Sequence, residues 1–87
     1  MPYFLAVYDV DAKRTGKMLK LFRRYLVWVQ NSVFEGDLTE SQFVALQQEA
    51  GKLMQEGDGI IFYRLRDERY AERTVLGSEK GERSRFL

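Results

Sequence analysis

Few side chains in this sequence can do chemistry, and Asp9 leads them, with its neighbour Asp11 as second choice. Asp9 ends the run Tyr3-Phe4-Leu5-Ala6-Val7-Tyr8, and a carboxylate beside apolar residues is costly to bury unless something pairs with it. The sequence has no histidine and no cysteine. That removes the usual general base, serine–histidine triads, thiolate nucleophiles and zinc–sulfur sites. Carboxylates, hydroxyls, lysine and arginine remain, and an oxygen-only donor set points to a hard cation, magnesium or manganese. Magnesium takes one or two protein carboxylates and completes its shell with water. Two copies of Asp9 meeting across a dimer axis would satisfy that. Ordinary roles compete: Asp9 and Asp11 are each placed to cap a following helix or to pair with Arg14.

The second group is cationic. Residues 13–24 hold Lys13, Arg14, Lys17, Lys20, Arg23 and Arg24 with no acid, although the net charge of the 87 residues is only +1. Residues 39–56 reverse this, with Glu40, Glu49 and Glu56 against Lys52 alone. A local basic face on a near-neutral protein suggests a polyanion met at one surface. Along a helix, Arg14, Lys17, Lys20 and Arg24 would form either a solvated face or one that follows a phosphate backbone. Arg14-Thr15-Gly16-Lys17 is not a phosphate loop, because Asp11 stands where its first glycine belongs.

These groups need elements to hold them. Residues 3–9 have the apolar, aromatic and β-branched composition of a strand, apolar on both alternating faces. Met18, Leu19, Phe22, Tyr25 and Leu26 make the buried stripe of a helix over about residues 12–26. Residues 27–38 read as strand again, split in two at Gln30-Asn31, with Trp28 and Phe34 in the core. Thr39 to Gln42 has the form of a capping box. The second helix carries Phe43, Leu46, Ala50, Leu53 and Met54 inward, with Gly57 closing it. After the turn at Asp58-Gly59, residues 60–66 form a strand, and residues 73–76 a short last one. The order is β-α-β-β-α-β, an α+β ferredoxin-like sandwich with both helices on one face of the sheet. Tyr3, Leu5, Val7, Ile60 and Phe62 are expected on the other face, too much apolar area for a monomer, so a twofold homodimer should cover it. Residues 1–76 make one domain, and residues 77–87 a charged tail expected to be mobile. No apolar run approaches the roughly 20 residues of a membrane span, and no leader opens the chain, so the cytoplasm is the expected compartment.

Two stretches carry a family resemblance: Tyr8-Asp9-Val10, and Gln30-Asn31-Ser32-Val33-Phe34-Glu35-Gly36-Asp37-Leu38-Thr39. With the chain length, they resemble the CRISPR-associated endoribonucleases, the smaller of the two universal adaptation proteins. The resemblance covers residues 1 to about 76. It implies a ferredoxin-like homodimer whose last strand crosses onto the partner's sheet. It also implies a catalytic, metal-binding role for Asp9, and site roles for Tyr8, Arg14, Ser32 and Phe34. Family members are described as magnesium-dependent nucleases on single-stranded RNA or duplex DNA, and as the central dimer of the complex that integrates new spacers. Many carry a basic residue just before the motif glutamine, where this chain has Val29.

The first reading is therefore a metal-dependent phosphodiesterase, with Asp9 on the metal and the basic helix, Arg64 and Arg66 on the nucleic-acid backbone. A second is a non-catalytic dimeric adaptor that bridges integrase subunits and DNA. A small-molecule regulatory module on the same fold lacks both a glycine-rich loop and a convergent apolar pocket.

Overall fold

The computed structural model describes residues 1–80. Seven residues of alternating, largely apolar character form the first strand, β1 (Tyr3–Asp9), at the centre of the molecule. It is followed by α1 (Ala12–Arg23), β2 (Val27–Gln30), β3 (Val33–Asp37), α2 (Glu40–Leu53) and β4 (Gly59–Leu65). A single 3-10 turn, Glu68–Tyr70, comes after β4. The sheet order is β2-β3-β1-β4 with every pairing antiparallel. This is the expected ferredoxin-like α+β arrangement.

Local chemistry explains the boundaries. Asp11 starts α1 by accepting the Lys13 amide at 2.9 Å. Thr39 and Gln42 close the predicted capping box of α2, each side chain bonded to the other's backbone N–H. The break between β2 and β3 falls at Asn31, which adopts φ +46° and whose carbonyl accepts the Trp28 indole N–H at 2.8 Å. The helices are shorter than expected. The first ends at Arg23 because Tyr25 and Leu26 both turn back their amides to the Phe22 carbonyl, which tightens the last turn. The second ends at Leu53, and Gly57, at φ +92°, shapes the loop beyond it.

One face of the sheet and the inner stripes of both helices enclose Phe4, Phe22, Phe34, Met18, Leu38 and Leu46, all fully buried. The register corrects one expectation. Val7 lies opposite Ile61 and Ala6 opposite Phe62, so Ile60 and Phe62 pack into the helical core. The open face instead carries Ile61, Tyr63 and Leu65 beside Val7, Leu5 and Tyr3. A shift of one residue in pairing exchanges every side chain between faces. Ile61 and Tyr63 are 53% and 55% exposed there.

Residues 73–76 form no strand in the single chain. Residues 70–75 instead lie over the open face near Tyr3, Leu5 and Val29. Arg73 is anchored there by Glu35 at 3.1 Å, and Glu35 also accepts the Tyr3 hydroxyl. Residues 77–80 follow β2, with the Lys80 backbone amide on the Val29 carbonyl and the Gln30 side-chain amide on the Ser78 carbonyl. An edge strand offers unpaired backbone groups, and the Lys80 amide satisfies one of them, the Val29 carbonyl. The expected mobile tail lies, for residues 81–87, outside the described residues.

Candidate metal and nucleic-acid site

Asp9 is the last residue of β1, opposite Gly59, so β4 sets no side chain beside it. The neighbouring strand β3 has already stopped pairing at Val33, two residues earlier. Asp9 is exposed, and its side chain has no hydrogen bond or ion pair among the described residues. It is neither the cap of α1 nor the partner of Arg14. Asp11 is the cap, as the second-choice acid. Asp9 therefore stands as an uncommitted carboxylate at a strand end, in the same row as the apolar Val7 and Leu5.

Arg14 is committed elsewhere. Its Nε and Nη2 donate to the two carboxylate oxygens of Asp58 at 2.7 and 2.8 Å. The Asp58 side chain is only 3% exposed, and it also accepts the backbone amides of Asp11 and Gln55. The bonds from Arg14, seconded by those amides, outweigh burial and hold this carboxyl well below the usual carboxylate range. Asp58 read from sequence as a turn residue. No local signal marked it as the partner of Arg14, because Asp11 stands closer in sequence and the pair spans 44 positions.

The basic face of α1 meets α2 in a groove. Lys17, Lys20 and Lys52 line one stretch of it, beside Arg24 and Glu49. Lys13, Lys17 and Lys52 line the next, a cleft of about 650 Å³. Although the charge of Lys52 adds to the Tyr25 hydrogen bond in lowering the pKa of Glu49, none of these lysines forms a salt bridge among the described residues. Arg24 does: it bonds Glu49 at 3.1 Å, and Glu49 also accepts the Tyr25 hydroxyl. Arg14 and Glu56 line both the lysine cleft and a recess of about 280 Å³ that contains Asp9, so the groove runs on to the strand end. Sequence reasoning counted Lys13 in the basic group but not on the helix face, and it missed Lys52, which belongs to the acidic second helix and is brought across only by packing.

The remaining expected contacts separate. Phe34 is wholly buried, stacked on Tyr8 at a centroid distance of 5.7 Å and tilted against Phe22 at 5.2 Å. Tyr8 is 5% exposed, and burial pushes its hydroxyl pKa up. Its amide donates to the Ser32 carbonyl at 3.2 Å. Tyr8 and Ser32 border a small recess with Thr15, Gly16 and Asn31, at the same end of the sheet as Asp9. Arg64 and Arg66 lie at the opposite end, about 17 Å or more along β4 from Asp9. Arg64 bonds Glu40 at 2.6 Å and sits over the Phe4 ring, while Arg66 bonds the Tyr70 hydroxyl.

The donor set tests the expected cation. Among the described residues no cluster of three or more acidic groups is arranged to hold a metal ion. In the Asp9 recess, Asp58 is taken by Arg14 and Asp11 by the helix cap, which leaves Asp9 and the exposed Glu56. One or two carboxylates with water suit magnesium or manganese, and a second chain would supply the other carboxylate.

Residues 1–73 match the family model described as CRISPR associated protein Cas2. The chain belongs to the Cas2 family. The protein named CRISPR-associated endoribonuclease Cas2 of Dictyoglomus turgidum is 44% identical over 86 residues, covering 98% of this chain and 99% of that one. Its namesake from Thermotoga maritima is 43% identical over 81 residues, 92% and 93% of the two chains. A crystal structure of Cas2 superposes with a TM-score of 0.84 at 34% identity, covering 91% of this chain and 90% of the other. Streptococcus pyogenes Cas2 gives 0.72 at 33% identity, over 84% and 99%. The Cas2 fold is thus shared along nearly the whole chain, and among the described residues no helix is long and apolar enough to cross a membrane.

Proposed function

We propose that this chain is a dimeric, metal-dependent endoribonuclease or endonuclease of CRISPR adaptation, working in the cytoplasm, with Asp9 as its cation-holding residue. The observation that carries this is the free Asp9 carboxylate at the end of a groove lined by lysines that form no salt bridge among the described residues. The lysines follow a phosphate backbone along α1 and bring it toward the strand end. Asp9 from each protomer holds the divalent cation, and the recess beside Tyr8 and Ser32 receives the nucleotide next to the scissile bond. A magnesium or manganese ion held there supplies charge neutralisation and activation of water. Twofold pairing through the open face would bring the two Asp9 copies together, because Asp9 shares that face with Val7 and Ile61.

A second reading is favoured by the same groove. Lys13, Lys17, Lys20 and Lys52 bind a polyanion without needing Asp9, as expected of an adaptor that lays DNA across the dimer beside an integrase subunit. Asp9→Asn separates the two. The nuclease reading expects cleavage to fall by at least about a hundredfold with melting temperature and binding unchanged, and Asp11→Asn to do less. In parallel, Lys17→Ala, Lys20→Ala and Lys52→Ala together should flatten the slope of log affinity against log salt by about two to three units. Binding with no metal-dependent cleavage in the parent protein would leave the adaptor alone, and an unchanged slope would mean a merely solvated groove.

A further inference from the structure

We propose that Asp58 and Arg14 are positioning residues for Asp9, and that Arg14, although basic and on α1, makes no phosphate contact. This rests on the reading of Asp9 as the cation-holding residue. The chain leaves Asp9 through Val10 to Asp11, whose amide donates to Asp58 Oδ1 at 3.1 Å. On the other side of the ladder Asp9 pairs with Gly59, the residue that follows Asp58. Gln55 donates its amide to Asp58 Oδ2 at 2.9 Å. Arg14 then grips both oxygens from the first turn of α1. One carboxylate therefore ties together the β1–α1 loop, the start of α1 and the α2–β4 loop, which are the segments that surround Asp9.

The geometry also decides what Arg14 is free to do. Recognition of a phosphate by arginine uses its fork of parallel N–H donors, and here Nε and Nη2 already serve a carboxylate. Releasing them would leave the Asp58 charge buried and unpaired, which is strongly unfavourable. The lysines have no such commitment. They carry the backbone contact, and Arg14 holds the loop.

The test compares the full-length protein with Arg14→Gln, Asp58→Asn, the double variant, Lys17→Ala and Asp9→Asn. Binding of Mn²⁺ is followed by loss of the free-ion electron paramagnetic resonance signal, and duplex binding across a salt series. Arg14→Gln and Asp58→Asn should each weaken Mn²⁺ about five- to tenfold, and the double variant no further, since the pair acts as one unit. Both should keep the parental salt slope, where Lys17→Ala lowers it by about 0.9. In cleavage, kcat should fall with KM unchanged. A slope lowered by Arg14→Gln as much as by Lys17→Ala would make Arg14 a phosphate ligand and overturn the proposal. Parental Mn²⁺ affinity in Asp58→Asn, with affinity lost in Asp9→Asn, would overturn the positioning role while leaving the Asp9 reading intact. Parental affinity in Asp9→Asn would instead overturn the Asp9 reading. Should the neutral variants not fold, Arg14→Lys keeps the charge and one bond to Asp58; it should still weaken Mn²⁺ two- to threefold, and parental affinity there would overturn the proposal.

Discussion

At the scale of single residues, the decisive contrast is between two aspartates in one recess. Asp9 is exposed and unpaired, whereas Asp58 is buried and fully bonded. Its environment gives Asp58 a pH signature. Hydrogen bonds from Arg14, then from Gln55 and Asp11, depress its pKa in the folded state below the roughly 3.9 of an unfolded chain. Such a group stabilises the fold fully above its unfolded pKa and loses that contribution as pH falls toward the folded value. Urea midpoints measured from pH 5 to pH 2 should therefore decline below about pH 4. Asp58→Asn should be less stable at pH 5 and show a flatter decline. An equally steep acid limb in the variant would assign the decline to other carboxylates. The aromatic residues carry the opposite lesson: Phe34 and Tyr8 are buried in the aromatic core, and Tyr8 also borders the small recess beside Ser32.

Among the elements, β3 shows why a motif can matter without touching a ligand. Gly36 adopts φ +156°, and a Cβ there would come within 3.3 Å of Leu26 Cδ2. It lets the turn after α1 and the start of β2 lie close against β3, while Glu35 beside it anchors Tyr3 and Arg73 on the open face. Gly36→Ala should cost about 1–3 kcal/mol of stability from backbone strain and the displaced leucine, read by chemical denaturation. Its nucleic-acid affinity should match the parent at temperatures where both are folded. An Ala variant as stable as the parent would mean that the strand relaxes without cost. The two helices have complementary duties: α1 brings most of the cations, and α2 adds Lys52 and the acids Glu49 and Glu40 that restrain Arg24 and Arg64.

For the whole molecule, the sheet is covered by helices on one side and only partly by residues 70–75 on the other. Ile61 and Tyr63 remain more than half exposed on that open face, and Ile61 lies two residues along β4 from the partner of Asp9, Gly59. Their burial against a second copy would stabilise a chain too small to gain much from its own core. Sedimentation at micromolar concentration should show a dimer, and Ile61→Lys should shift it toward monomer while lowering the melting temperature. A parent that sediments as a monomer would remove the shared-cation arrangement.

Much of this was legible in the order of residues. Apolar runs with period two or near 3.6, a capping box and a kinked strand pair specify a β-α-β-β-α-β chain, because those signals act over a few neighbours. The absence of histidine and cysteine, and Asp9 at a strand end, limited the chemistry in the same local way. Tertiary structure alone decided the pairings between distant segments. It gave Arg14 to Asp58 across 44 positions of sequence, brought Lys52 to the basic groove, and put Arg64 and Arg66 at the far end of the sheet. It also set the register that turns Ile61 outward and Ile60 inward. The physical reason is that a carboxylate, a guanidinium or a strand edge will accept many partners, and only the closed packing of all the elements leaves each with one.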